Sequence, residues 1–175
     1  RKMRYGEMRE SLKFAVEHFK DKPVISVEVG VAAGENAMKI FKALNTAQMF
    51  LIDCWMLAYN HESHYWLLET FKAFERLTSK VFIVRHQAIG ASQIFNKDQI
   101  DYLYLDDNHA PQHVYNELVA YYDKVKSGGI MAGHDWADNG RASKAVKEFC
   151  AKNDLEYSFA QNDGEKVADW WIVKP

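Results

Sequence analysis

Short apolar runs rich in β-branched and aromatic residues recur along the chain, each separated from the next by a stretch of helical periodicity. Val24–Gly30 (VISVEVG), Ala47–Asp53 (AQMFLID), Lys80–Arg85 (KVFIVR) and Ile100–Leu105 (IDYLYL) are short and nearly continuous in apolar character. Such runs read as strands buried on both faces. Met8, Leu12, Phe14, Ala15 and Phe19 recur at helical spacing, predicting an N-terminal helix at about 7–20. Glu35–Leu44 and Tyr65–Leu77 also read as helices, and Gly90–Phe95 as a short one. Pro111 suits the first turn of a helix running to about Val125, because its missing N–H is not needed there. SGGIMAGHDW (127–136) supplies a turn and a strand, Arg141–Ala151 a helix, and YSFA and DWWIVK a final pair of strands.

Strands alternating with crossover helices pack as a mostly parallel sheet covered on both faces, an α/β architecture. Ligands in such sheets sit outside the carboxyl ends of the strands. Asp53, Asp106 and His134–Asp135 each fall just after a predicted strand, so one edge of the sheet should gather all of them. The stretch DYLYLDDNHAP (101–111) therefore reads as the rim of a cleft rather than as a strand meeting solvent.

With 175 residues, 48% of them hydrophobic and 26% charged, the chain suits one domain spanning 1–175. No linker-like tract or solenoid repeat divides it. The 24 acidic and 22 basic residues nearly balance, so nucleic acid is not indicated as a standing partner, and the basic RKMR opening is short enough to be a solvated end. Two cysteines, Cys54 and Cys150, argue against a disulfide scaffold or a cysteine-rich zinc site and suit a reducing compartment. No apolar run approaches the roughly 18–20 residues of a membrane span, and nothing resembles a signal peptide. A cytoplasmic protein with a small-molecule substrate is expected, with homo-oligomerisation left open.

EVGVAAGEN (28–36) joins the first strand to a helix. Gly30 allows a tight turn, Gly34 allows backbone to approach a ligand, and the helix start offers unpaired N–H groups. The spacing lacks the full GxGxxG pattern, which weakens a nicotinamide or flavin reading. Asp53 lies about 20 residues beyond the glycines, the distance at which an acid accepts the two hydroxyls of a ribose. Gly30, Gly34 and Asp53 together indicate a nucleoside-containing cofactor without choosing which one.

On Glu28-Val29-Gly30-Val31-Ala32-Ala33-Gly34-Glu35 and the later Gly128-Gly129-Ile130-Met131-Ala132-Gly133-His134-Asp135, the chain resembles the small class I S-adenosylmethionine-dependent methyltransferases, in the branch with E-x-G-x-x-x-G-E and GGxxxGHD motifs. The match runs from about Val24 to Lys174. The resemblance implies a Rossmann-like sandwich whose mostly parallel seven-stranded sheet has an antiparallel C-terminal strand. It implies S-adenosylmethionine as cofactor, with Gly30 and Gly34 along its methionine and ribose side, Glu28 toward the amino-acid end, Asp53 on the ribose diol and Trp55 beside the adenine. The family commonly has Asp-Ser where Gln87 and Ala88 fall; Gln87 retains a hydrogen bond to offer adenine and Ala88 does not. The common IDGDH motif is here LDDNH, keeping Asp106 and His109 while Asp107 replaces a glycine and Asn108 an acid.

Methyl transfer needs a nucleophile held in line with the sulfonium methyl, and a hydroxyl acceptor also needs a base or a metal. Asp106, His109, His134 and Asp135 are the groups at hand. The resemblance to metal-dependent O-methyltransferases makes Asp106 and Asp135 candidate Mg²⁺ ligands, although His134 stands where another oxygen ligand often occurs. A metal-free route would use His109 or His134 as base, with Asp106 orienting an imidazole or the substrate. O-methylation of a small or sugar-like acceptor leads; metal-independent N-methylation and a noncatalytic cofactor-binding interaction module are the alternatives. His61 with His64, and His109 with His113, also have spacings that suit one helical face. Trp66, Phe71, Phe74, Tyr115, Tyr121 and Tyr122 read as core or interface residues. Trp170 and Trp171 should face opposite sides of their strand, one buried and the other free to meet a partner.

Overall fold

The computed structural model of the protein describes residues 8–56, 61–137, 140–160 and 168–175. The RKMR cluster lies outside them. Seven strands form one sheet: β1 (Val24–Val29), β2 (Thr46–Asp53), β3 (Val81–Arg85), β4 (Ile100–Leu105), β5 (Val125–Trp136), β6 (Ser158–Ala160) and β7 (Ala168–Val173). Their order is β3-β2-β1-β4-β5-β7-β6. β1 through β5 pair in parallel, and β7 enters antiparallel between β5 and β6. This is the expected α/β sandwich. The helices are α1 (Glu10–Phe19), α2 (Glu35–Ala43), α3 (Ser63–Phe74), α4 (Ala88–Ala91), α5 (Pro111–Tyr122) and α6 (Arg141–Asn153), with a 3₁₀ turn at Ser92–Ile94.

Because successive strand residues point to opposite faces, the sheet divides the core in two. Val24, Met49, Leu51, Tyr102 and Tyr104 pack against Leu12, Ile40 and Phe74 from α1, α2 and α3. Val27, Val29, Leu103, Leu105 and Met131 pack against Leu118, Tyr121, Val146 and Phe149 from α5 and α6. Each of these large apolar side chains, fully buried, contributes roughly 1.5–3 kcal/mol. The two-sided burial explains why the strands read as continuous apolar runs.

The expected helix from Pro111 ends at Tyr122, not near Val125. Val125 already belongs to β5, paired with Ile100, and a register shift follows before Tyr102 meets Ile130. The SGG segment is thus a bulge inside a strand, with Gly128 at φ +74°, and not a turn ahead of one. Trp170 is the buried member of its pair, and its indole N–H donates to the His134 carbonyl at 3.1 Å. Trp171 faces α1 and stacks on Phe14, with ring centroids 5.4 Å apart. The side chain expected to be free for a partner is therefore covered by the chain's own first helix.

Strand register fixes the cleft. Val29 lies beside Ile52 and Leu105, Leu105 beside Gly133, and Asp53 beside Arg85. Gly30 and Asp106 follow directly after β1 and β4 and Asp53 ends β2, while His134 and Asp135 lie within β5, beyond its last pair with β4 at Gly133, and not after the strand as expected; all of them fall along one edge of the sheet. No helix among the described residues is long and apolar enough to cross a membrane.

Candidate functional site

The loop from β1 to α2 is held from three sides. Gly30, at φ +85°, lies so close to the end of β4 that a Cβ there would be 2.2 Å from the Asp106 carbonyl oxygen. Only glycine permits both the backbone angle and this approach. Gly34, at φ +84°, is the left-handed residue before α2, and its nearest neighbours are Phe74 and Thr70 of α3. The expected roles are therefore redistributed: the close backbone approach is made at Gly30, and Gly34 turns the chain into the helix. The Ala32 carbonyl between them accepts from the Trp55 indole N–H at 2.9 Å and the Thr70 hydroxyl at 3.0 Å.

Asp53, at the end of β2, accepts from the Ala32 N–H at 2.9 Å and the Trp55 N–H at 2.8 Å, one bond to each carboxylate oxygen. A carboxylate has about four lone-pair positions, so the anchored group retains capacity for two more donors. Trp55 is 1% exposed and packed into the core, so its indole braces the glycine loop from beneath. Ala32, Trp55 and Asp135 all have positive φ (49°, 40° and 61°). Non-glycine residues adopt this region rarely, and such strain gathers at functional sites.

Glu28 points into the same space from β1. It is 1% exposed, and its Oε1 accepts from the Asn36 amide at 2.9 Å, while its Oε2 has no hydrogen-bond partner. Burial pushes its carboxyl up to about 8. The unpartnered oxygen of this buried carboxyl faces a cavity, where a polar group of a ligand can complete it. That cavity, about 310 Å³, is lined by Glu28, the glycine loop, Arg9, Asn36, Trp66 and Asp106. A second cavity of about 250 Å³ is lined by Asp53, Cys54, Ser63, Trp66, Gln87, Asp107, Asn108 and His113. The two share Trp66 and meet at the Asp106–Asp107 step, so together they form a cleft along the strand ends.

Asp106 is paired with Arg9, whose Nη1 lies 3.2 Å from its Oδ2. The Arg9 guanidinium also donates to the Tyr104 hydroxyl and lies 3.9 Å from Asp169. Asp169, fully buried in β7, accepts from the Tyr104 hydroxyl at 3.0 Å and from the Ser11 hydroxyl and N–H. This network ties the start of α1 beneath Asp106. Arg9 and Asp169 are site-supporting residues that sequence reasoning missed. A lone acid inside the apolar run ADWWIV was the available signal for Asp169; no local pattern links Arg9 to either partner.

His109 Nδ1 lies 2.7 Å from Asp135 Oδ2, and His134 Nδ1 lies 3.6 Å from Asp135 Oδ1. The carboxylate that orients His109 is therefore Asp135, not Asp106. No side chain caps α5; Asn108 Oδ1 instead accepts from the N–H of Ala110, the residue before the helix, at 2.9 Å. Asp106, His134 and Asp135 bring ligand atoms within 4.8 Å of one another. The set nevertheless fits Mg²⁺ poorly: a guanidinium already engages Asp106, an imidazole engages Asp135, and the third donor is nitrogen.

Gln87 stands exposed at the cleft, with its amide 3.3 Å from the Met56 sulfur. The altered pair Asp107–Asn108 lines the cleft too, and Asp107 reaches His113 on α5 at 3.2 Å. Trp66, expected in core or interface, borders both cavities. Neither His61 nor His64 belongs to a potential metal-holding group among the described residues, and His64 lies against Tyr65, with ring centroids 3.8 Å apart.

Residues 27–136 match a family described as a methyltransferase domain. No curated protein sequence matches the chain. Among solved structures, a Streptococcus mutans protein described as a candidate methyltransferase and solved with S-adenosylhomocysteine superposes with a TM-score of 0.71, at 13% identity over 96% of this chain and 99% of its own. An O-methyltransferase from Bacillus cereus, also in complex with S-adenosylhomocysteine, gives 0.68 at 13% identity over 94% of this chain and 79% of its own. A precorrin-6y C5,15-methyltransferase from Geobacter metallireducens gives 0.69 at 13% identity over 94% and 88%. At these identities the likeness establishes a shared fold.

Proposed function

The chain belongs to the methyltransferase-domain family, and from that premise we propose that it transfers the methyl group of S-adenosylmethionine to an oxygen of a small or sugar-like acceptor, with His109 as general base. The cavity of Glu28 and Arg9 would hold the cofactor's amino-acid end. Its ammonium would complete the unpartnered Glu28 oxygen, and its carboxylate would meet the Arg9 guanidinium. The ribose hydroxyls would donate to the free lone pairs of Asp53, and Gln87 would offer its amide to the adenine edge. The binding of S-adenosylhomocysteine by two proteins of this fold supports the cofactor assignment.

Transfer would join the acceptor oxygen to the methyl carbon and break the carbon–sulfur bond, whose electron pair would stay on sulfur to give S-adenosylhomocysteine. The acceptor proton goes to His109. Asp135, at 2.7 Å from Nδ1, fixes the tautomer that leaves Nε2 as the proton-accepting nitrogen. This dyad at the strand-end rim is the observation that carries the reading. Asp106 would orient the acceptor from the junction of the two cavities. No step is assigned to Mg²⁺, because the side chains that would hold it are engaged by Arg9 and His109.

The test compares the wild type with His109→Ala over a panel of hydroxyl and amine acceptors, reading S-adenosylhomocysteine release. Loss of a general base predicts a fall in kcat of roughly 10²–10⁴-fold. Cofactor affinity should stay unchanged, added imidazole should partly restore the rate, and added Mg²⁺ should not alter it. Undiminished turnover of hydroxyl acceptors by His109→Ala would contradict the assignment.

A further inference from the structure

A second titratable cluster borders the cleft, in residues the methyl-transfer reading does not use. Asp107 is the first residue of the turn after Asp106, while His113 and Glu117 occupy successive turns of α5 at i and i+4, the spacing that puts two side chains on one helical face. His113 Nε2 lies 3.2 Å from Asp107 Oδ2 and 3.6 Å from Glu117 Oε1, and the three ligand atoms all fall within 4.8 Å of one another. Glu117 is 1% exposed, and the oxygen it aims into this group makes no hydrogen bond. Burial pushes its carboxyl up to about 7 and raises that of Asp107 as well. The imidazole that faces this oxygen, His113 at 3.6 Å, pairs with it electrostatically but lies beyond hydrogen-bond distance, so the buried acid is compensated only in part.

We propose that Asp107, His113 and Glu117 form a binding site for a divalent transition metal of the zinc class, separate from the strand-end cluster of Asp106, His134 and Asp135. The donor set is one imidazole and two carboxylates, which suits zinc and its neighbours better than Mg²⁺. Geometry agrees: a tetrahedral zinc with bonds of about 2.0–2.2 Å separates its ligands by about 3.3–3.6 Å, against 3.2 and 3.6 Å for the two pairs centred on His113. The ion would neutralise Glu117 and cross-link the β4–α5 turn to the middle of α5. Asp107 and His113 also line the cleft, so a fourth coordination position would open toward it.

The experiment strips the full protein of metal and titrates ZnCl₂ by calorimetry without cofactor, so its outcome is independent of whether the methyl-transfer reading holds. The wild type should bind one Zn²⁺ at this site at least a hundredfold more tightly than Mg²⁺. His113→Ala and Glu117→Gln should each weaken Zn²⁺ binding tenfold or more, while His134→Ala leaves this equivalent unchanged. Should His113→Ala fail to fold, Glu117→Gln carries the comparison, since its amide is isosteric with the protonated acid. Absence of Zn²⁺ binding, or binding lost with His134→Ala and kept in Glu117→Gln, would overturn the proposal.

Discussion

Replacing Glu28 by Gln should stabilise the cofactor-free protein at neutral pH and weaken its hold on the cofactor. Burial raises the Glu28 carboxyl from 4.5 to about 8, so between those values the folded chain keeps a proton that the unfolded chain has lost. By linkage, the stability associated with this group is fully present below pH 4.5 and is lost as pH rises to 8. At pH 7 the loss is on the order of 3 kcal/mol. Gln mimics the protonated acid, keeps an oxygen for the Asn36 amide, and removes the titration. The stability gap between variant and wild type should widen from under about 1 kcal/mol at pH 5 to about 4 kcal/mol at pH 8. At pH 7 the variant should melt roughly 6–12 °C higher. Urea unfolding at several pH values reads the gap, and calorimetry reads the weakened binding. A gap that does not change with pH, or a variant less stable than wild type at pH 7, would show that Glu28 is not held protonated by burial.

Asp53→Ala should lower S-adenosylmethionine affinity tenfold or more by calorimetry, and should cost about 1.5–3 kcal/mol in urea unfolding because the Ala32 and Trp55 N–H groups lose a charged acceptor. Gly30→Ala would place a methyl 2.2 Å from the Asp106 carbonyl oxygen at a positive φ. It should fail to fold or lose more than about 3 kcal/mol; a variant of unchanged stability would show that the β1 and β4 loops are not so closely apposed.

Much of the fold was legible because strands buried on both faces leave continuous apolar runs, and because their alternation with helices permits few topologies. The α5–β5 boundary was not, since Lys126–Gly129 has turn chemistry yet sits inside a strand as a bulge. At the site, Glu28, Asp53, Asp106 and His134–Asp135 could be placed because each occupies a strand or its end, where position in the sheet follows from position in the sequence. Their partners could not. Arg9 meets Asp106, and His109 meets Asp135, only once the chain is folded, and no periodicity encodes those contacts. Trp55 shows the same limit: adjacency to Asp53 placed it at the cleft, but a reversal of the backbone at φ 40° turns its indole under the glycine loop.

The proposed methyl transfer depends on binding of the adenosyl cofactor in the cleft between Glu28 and Asp53. Titrating S-adenosylhomocysteine into the wild-type protein by calorimetry tests it most directly. Saturable binding of one molecule per chain is expected, weakened at least tenfold in Asp53→Ala. A folded wild-type protein that takes up no S-adenosylhomocysteine would contradict it.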